Sequence, residues 1–180
     1  CNLWTGLEKD REKAVCFWCD TDFVGTAGPN GGKYSAKQVA KVLLNLWPNS
    51  IVEKPYVVCT GGEPLLQIDQ LFITTIKSIG FEIGLETNGT ILAPEGFDWI
   101  CVSPKVGTNL KIVKGDELKL VYPQHGVEPS EYENLQFDYF SLQPMDNKEI
   151  KENTQKAIKY CHEHPLWRLS LQTHKFIGIP

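Results

Sequence analysis

Residues 55–64 read Pro-Tyr-Val-Val-Cys-Thr-Gly-Gly-Glu-Pro, an apolar run followed at once by a polar, glycine-rich turn. A short apolar run bounded by turn residues is typical of a buried strand. Gly61 and Gly62 let the backbone approach a ligand closely, and Pro64 is typical of the first turn of a helix. The segment therefore predicts a strand, a turn and a helix in succession, as in a parallel α/β sheet.

Five further apolar runs predict the remaining strands, and three segments with helical periodicity predict the main helices. The predicted strands are Pro55–Cys59, Phe81–Leu85, Trp99–Val102, Leu118–Tyr122, Tyr139–Leu142 and Trp167–Leu171. The predicted helices are Ser35–Trp47, Leu65–Ile79 and Asn147–His162, and the predicted long loops are 24–34 and 123–134. Because the helices are too few for the strands, we expect an α/β fold with a modified, partial (β/α) barrel.

Polar residues follow the predicted strands at the point where each strand ends. The exits are Thr60-Gly61-Gly62-Glu63, Glu86-Thr87-Asn88-Gly89, Ser103-Pro104-Lys105, Gln143-Pro144-Met145-Asp146 and Gln172-Thr173-His174-Lys175. The carboxyl ends of parallel strands meet at one edge of a sheet, where such folds carry their active sites. The exits therefore predict one shared site.

Length and composition limit the remaining possibilities. The 180 residues are 42% hydrophobic, which suits one core, so we expect a single domain over residues 1–180. A net charge of −4 argues against a nucleic-acid partner. No apolar segment long enough for a membrane span and no export signal is visible, which favours the cytoplasm. The first residue is Cys1, so we interpret the chain as lacking an N-terminal segment.

The chain has six cysteines, and Cys1, Cys16 and Cys19 are spaced Cys-x14-Cys-x2-Cys. Three closely placed thiolates can hold three corners of an iron–sulfur cube and leave the fourth iron open for a small chelating ligand. A zinc knuckle is the alternative, with Cys16, Cys19 and two more ligands from around Cys161, His162 and His164.

Several short motifs accompany the cysteines. They are Cys-Asp-Thr-Asp-Phe at 19–23, Thr-Gly-Gly-Glu-Pro at 60–64, Glu-Thr-Asn-Gly at 86–89, Ser-Pro-Lys at 103–105 and Gln-Pro-Met-Asp at 143–146. Together with the expanded cysteine spacing and its inserted loop Asn2–Val15, they resemble radical S-adenosylmethionine enzymes, specifically the 7-carboxy-7-deazaguanine synthase family. The resemblance covers nearly the whole chain and implies a fold of the radical S-adenosylmethionine type.

The resemblance implies a lyase-type ring contraction of 6-carboxy-5,6,7,8-tetrahydropterin to 7-carboxy-7-deazaguanine and ammonia, in queuosine and 7-deazapurine biosynthesis. It implies a [4Fe-4S] cluster, S-adenosylmethionine and Mg²⁺ as cofactors. It further implies a flavodoxin or ferredoxin as electron donor, and a homodimer. Two alternatives use the same cysteines. One is a radical activating enzyme that acts on a partner protein, and the other is a zinc-stabilised binding module.

The resemblance also implies roles for individual residues. The positions implied to contact S-adenosylmethionine lie beside the third cysteine or on the strand exits, and they are Trp18, Cys19, Asp20, Gly61, Gly62, Glu63, Glu86, Asn88, Ser103, Pro104, Lys105, Gln143, Pro144, Met145 and Asp146. The implied cluster ligands are Cys1, Cys16 and Cys19. Thr21 is the implied magnesium ligand, with Asp20 and Asp22 as alternatives. Thr60, His174 and the carboxylate of Pro180 are the implied substrate contacts.

Two of these regions have other interpretations from the residues alone. Thr60-x-x-Glu63 is also the pattern of a helix capping box, in which Glu63 would serve the helix instead of the ammonium group of a cofactor. Phe176–Pro180 is an apolar terminus with no polar tail, so we expect it to pack inward.

Overall fold

The computed structural model describes residues 1–28, 30–48 and 53–179. Six strands form one sheet in chain order, and every neighbouring pair is parallel. They are β1 (Tyr56–Cys59), β2 (Glu82–Thr87), β3 (Trp99–Val102), β4 (Lys114–Tyr122), β5 (Gln136–Pro144) and β6 (Trp167–Leu169). The outer strands β1 and β6 do not pair with each other, so the sheet is open. The prediction of a partial, parallel α/β barrel is confirmed.

Four α-helices and three short 3₁₀ segments accompany the strands in the described residues. The helices are α1 (Ala36–Leu46), α2 (Gln70–Ser78), α3 (Ile150–Glu163) and α4 (Thr173–Ile177). The 3₁₀ segments are Glu8–Lys13, Pro64–Leu66 and Pro129–Tyr132. Ser35 is the N-cap of α1, and its backbone N–H donates to Oε1 of Gln38 at 2.8 Å, as in a capping box.

The prediction of one continuous helix over Leu65–Ile79 is wrong. A 3₁₀ turn ends at Leu66, and α2 begins only at Gln70. Asp69 starts the second piece, because its side chain accepts a hydrogen bond from the backbone N–H of Phe72 at 2.8 Å. Both pieces turn apolar side chains such as Leu65 and Ile73 inward, so the apolar pattern runs across the break.

The core lies on one face of the sheet, beneath α1, α2 and α3. The side chains of β2 alternate between the two faces of the sheet. Ile83 and Leu85 are fully buried on the core face, whereas the next residue, Glu86, is exposed on the opposite face. The opposite face carries polar and aromatic groups, among them the ion pair of Lys119 with Glu86 at 2.9 Å. Helices α1, α2 and α3 thus pack on the core face, and the opposite face of the sheet is polar.

The prediction that the C-terminal segment packs inward is wrong. Phe176 is 72% exposed, Ile177 63% and Ile179 56%. Helix α4 ends at Gly178, whose φ of +71° suits a residue without a Cβ. Pro180, the implied substrate contact, lies outside the described residues. Within those residues, no helix is both long and apolar enough to span a bilayer.

Candidate active site

The turn after β1 lies directly against the start of the chain. Gly61 has a φ of +117°, a conformation that side chains other than glycine rarely adopt. A Cβ on Gly62 would lie 3.0 Å from the backbone nitrogen of Cys1 and 3.0 Å from the ring of Phe23. Glycine at this position therefore allows the first cysteine to reach the carboxyl end of β1.

The exit of β2 holds the same segment from the other side. The Asn2 side chain donates to Oγ1 of Thr90 at 2.8 Å and accepts from Nδ2 of Asn88 at 2.9 Å. Asn88 is buried, and its Oδ1 also accepts from the backbone N–H of Thr90 at 3.0 Å. In the structure the Asn88 side chain thus fixes the residue after Cys1.

Glu63 joins the exits of β1 and β2. Its side chain is buried, and Oε1 accepts from the backbone N–H of Leu65 at 3.1 Å and from the hydroxyl of Thr87 at 2.8 Å. Oε2 accepts from the backbone N–H of Asn88 at 2.9 Å. Glu63 itself is the N-cap of the 3₁₀ segment, so the predicted alternative of a capping role holds in this form, without Thr60. Carboxylate oxygens accept about two hydrogen bonds each, so Oε2 retains acceptor capacity.

Cys16 and Cys19 form a tight turn closed by a 3.0 Å hydrogen bond from the backbone N–H of Cys19 to the carbonyl of Cys16. Burial raises the pKa of the Cys16 thiol, whereas the nearby charge of Lys105 acts to lower it. Lys105 lies 5.6 Å from the centre of the Trp18 ring and donates to the carbonyl of Ser103 at 2.7 Å. Burial lowers the pKa of Lys105 to about 8, opposed by the thiols of Cys16 and Cys19. The structure thus unites the predicted residues of the cysteine turn with those of the β3 exit.

The donor chemistry of this edge fits an iron–sulfur cluster. The segments of Cys1, Cys16 and Cys19 lie over the exits of β1, β2 and β3, and Lys105 supplies positive charge beside two of the thiols. Across residues 1–28, 30–48 and 53–179, no three His, Cys, Asp or Glu side chains are gathered closely enough to hold a metal ion.

The zinc knuckle finds no support in this arrangement. Cys161 lies on α3 and packs against the core cluster. His164 stacks on Tyr160, with 4.1 Å between the ring centres. Both groups therefore belong to the packing of α3 and not to the cysteine turn.

Lys175 links the cysteine turn to the exit of β5. Its ammonium donates to Oδ2 of Asp20 at 2.6 Å and also to Oδ2 of Asp146. Burial alone would raise the pKa of Asp20, but hydrogen bonds from Lys175 and Gln172 outweigh it and hold the pKa below its ordinary value. A cavity of about 220 Å³ adjoins this link, and its lining includes Pro144, Asp146, Ile150, Gln172, Lys175 and Phe176.

The other predicted site residues differ in their surroundings. Gln143 is half-buried and Pro144 buried within β5, while Met145 is buried just beyond it and Pro104 just beyond β3. The exposed predicted residues are Asp20, Thr21, Asp22, Thr60, Gly61, Glu86, Asp146 and His174. Glu86 lies on the polar face of the sheet, paired with Lys119. The predicted residues thus lie at one edge of the sheet, except Glu86, which lies on its polar face.

Sequence reasoning missed several residues that tie this edge together. They are Asn2, Thr87, Lys119, Gln172 and Lys175. Thr87, Gln172 and Lys175 lie in strand exits that are polar in the sequence, so those exits were the available signal. Asn2 and Lys119 had no sequence signal of their own, because their partners are remote in the chain.

A partial parallel barrel with three cysteines and a glycine-rich turn at its carboxyl edge defines an enzyme of the radical S-adenosylmethionine type. No family model matches the chain. The 7-carboxy-7-deazaguanine synthase of Bradyrhizobium diazoefficiens is 58% identical over 180 residues, which cover 99% of this chain and 85% of that protein. The synthase of Caulobacter vibrioides is 52% identical over 181 residues, covering 100% and 86%. The chain belongs to the 7-carboxy-7-deazaguanine synthase family.

A solved structure agrees with the fold. The crystal structure of QueE from Escherichia coli superposes with a TM-score of 0.61 at 22% identity, over 87% of this chain and 79% of that one. The likeness extends over most of both chains, so the two proteins share the fold.

Proposed function

We propose that the chain converts 6-carboxy-5,6,7,8-tetrahydropterin to 7-carboxy-7-deazaguanine and ammonia, in queuosine and 7-deazapurine biosynthesis. The observation that carries the proposal is the 58% identity to a named 7-carboxy-7-deazaguanine synthase along 99% of the chain. The geometry supports it independently, because the cysteine turn and the exits of β1, β2 and β3 meet at one edge.

Product analysis tests the proposal. The anaerobically reconstituted chain, supplied with S-adenosylmethionine, dithionite and the pterin, should form 7-carboxy-7-deazaguanine with one ammonia per turnover. Cleavage of S-adenosylmethionine without conversion of the pterin would contradict the proposed substrate. That outcome would favour the alternative of an activating enzyme for a partner protein.

We assign the chain's own residues to holding and orienting the two cofactors. Cys1, Cys16 and Cys19 would hold a [4Fe-4S] cluster, and the turn Gly61–Glu63 would receive the amino group of S-adenosylmethionine. When bound, the cluster and S-adenosylmethionine supply the one-electron chemistry that starts ring contraction. The protein contributes position, by fixing the reacting groups against each other and excluding water.

The remaining proposed cofactor contacts surround this turn. Trp18, Asp20, Ser103 and Lys105 would lie along one side of S-adenosylmethionine, supported by the contact of Lys105 with Ser103 and the Trp18 ring. On the other side, Pro144 and Asp146 line the cavity of about 220 Å³, whose partly apolar lining suits an adenine ring. Gln143 and Met145, next to them in the chain, complete this side of the proposed set. Pro104, Glu86 and Asn88 are the outer members of the proposed set.

Magnesium is the third proposed cofactor, with Thr21 as its protein ligand. Thr21 is exposed beside the cysteine turn, so its hydroxyl is free to share an ion with the substrate carboxylate and water. Added Mg²⁺ should raise turnover, and Thr21→Ala should lose most of that response while keeping its cluster. A titration of turnover against Mg²⁺ measures it. An unchanged metal response would move the ligand to Asp20 or Asp22, and Asp20→Asn compared with Asp22→Asn would decide between them.

The substrate is proposed to contact Thr60, His174 and the carboxylate of Pro180. Appending residues after Pro180, or amidating it, should remove an acceptor and leave a pterin donor unpaired. An unmet buried donor costs roughly 1–3 kcal/mol, about 5- to 150-fold in binding or rate. Steady-state kinetics of an extended chain measure the loss, and binding of S-adenosylmethionine is the control that should stay unchanged. Unaltered turnover and pterin affinity would remove Pro180 from the site.

We further propose that the enzyme works in the cytoplasm as a homodimer and takes its electrons from a flavodoxin or ferredoxin. The support is the family resemblance of the motifs. Light scattering of the reconstituted chain would test the homodimer, and replacement of dithionite by each reduced donor protein would test the electron donor.

A further inference from the structure

Arg11 contacts the cysteine turn from within the loop that separates Cys1 from Cys16. It lies in the 3₁₀ segment Glu8–Lys13. Its Nη1 donates to the carbonyl of Phe17 at 2.8 Å and to the carbonyl of Cys19 at 2.9 Å. One guanidinium nitrogen therefore binds two backbone carbonyls of the Cys16–Cys19 turn.

Arg11 is itself held in place on two sides. Its Nε donates to Oε2 of Glu8 at 2.7 Å, and its guanidinium carbon lies 4.2 Å from the centre of the Trp4 ring. The planar guanidinium can stack on an aromatic ring and still direct its N–H groups to fixed acceptors, which a lysine ammonium does not reproduce. Glu8 and Trp4 thus orient the donors that reach the turn.

Trp4 connects Arg11, through Phe23, to the glycine-rich turn after β1. Trp4 is buried and packs edge-on against Phe23, with 5.6 Å between ring centres. The ring of Phe23 in turn lies against Gly62. A continuous set of contacts therefore runs from the cysteine turn through Arg11, Trp4 and Phe23 to the exit of β1.

We propose that Arg11 is a positioning residue that holds the Cys16–Cys19 turn in register with Cys1 and the β1 exit. The inference rests on the proposed function only in taking this turn as the cluster-binding segment. The loop between the first two cysteines is long, and ordering a long loop costs conformational entropy that contacts across it must offset. Arg11 provides such a contact at the turn itself.

The test compares Arg11→Met with Lys13→Met, which removes a cation from the same 3₁₀ segment at an exposed position. In the metal-free chain, hydrogen exchange of the Cys19 amide, which donates to the Cys16 carbonyl, should be about tenfold faster in Arg11→Met, because two carbonyls of the turn lose a charged donor. Exchange in β1 is the internal reference for folding and should not change. After anaerobic reconstitution, iron per chain should fall to less than half of the wild-type value.

The outcomes separate cleanly. Lys13→Met should match the wild type in both measurements, and wild-type exchange and iron content in Arg11→Met would overturn the inference. If Arg11→Met accelerates exchange in β1 as well, Arg11→Lys replaces it as the test, with intermediate exchange and iron content expected and wild-type values for both overturning the inference. These readouts need no pterin, so the inference can hold while the proposed reaction fails, and the reverse.

Discussion

Cys16→Ala is expected to lose the brown chromophore and all turnover together. Cys16 is one of three thiols proposed to hold the cluster, and a four-iron cluster with a single open iron needs all three. The thiol is also the buried member of the set, so no neighbouring water can take its place easily. The visible absorption spectrum and the iron and sulfide content after anaerobic reconstitution measure the loss directly.

Cys161→Ala is the matched control for this variant. Cys161 is a half-buried thiol on α3, far in sequence from the cysteine turn. The control should keep the chromophore, whereas a zinc knuckle that used Cys161 would lose its metal in both variants. A full four-iron cluster in Cys16→Ala would defeat the assignment of the three cysteines.

Glu63→Ala is expected to lower the free energy of unfolding by at least about 3 kcal/mol. The substitution leaves three donors without an acceptor, namely Leu65 N–H, the Thr87 hydroxyl and Asn88 N–H. Each buried, unmet donor costs roughly 1–3 kcal/mol. A typical domain is stable by only about 5–15 kcal/mol, so the variant should unfold at a clearly lower denaturant concentration.

Two comparisons sharpen the Glu63 experiment. Glu95→Ala removes an exposed carboxylate and should change the unfolding free energy by less than about 0.5 kcal/mol. Glu63→Gln keeps one acceptor oxygen for Leu65 and Thr87 but places an amide against the Asn88 N–H, so its loss should lie in between. A Glu63→Ala chain as stable as the Glu95 control would show that the buried contacts do not stabilise the junction of β1 and β2.

The bounds of a strand were predictable from the sequence where they coincide with the bounds of an apolar run. Trp99–Val102 has the same bounds in sequence and structure, because both of its ends meet polar residues. β4 begins at Lys114, four residues before its apolar run, because backbone pairing with β5 does not require apolar side chains on the open face. The interruption of the helix before Gln70 was not predictable either, since apolar periodicity does not indicate which backbone hydrogen bonds form in each turn.

The candidate site was predictable as an edge but not as a set of contacts. Polar strand exits placed Glu63 and Asn88 at the same edge, because parallel strands end on the same side. The links Asn2–Asn88 and Asp20–Lys175 join residues 86 and 155 positions apart. No local pattern encodes partners at that separation, so such links emerge only when the chain is folded.

Two sets of polar contacts hold the residues of this edge together, and they differ in how strongly salt weakens them. The Lys175 bridge to Asp20 and Asp146 joins partly exposed charges, which mobile ions screen over about 10 Å at 0.1 M salt. Glu63 meets its donors in the interior, beyond the reach of such ions. Rising ionic strength therefore weakens the contacts between α4 and the cysteine turn and leaves the hydrogen bonds between the β1 and β2 exits unchanged. The site accordingly opens first on the side of β5.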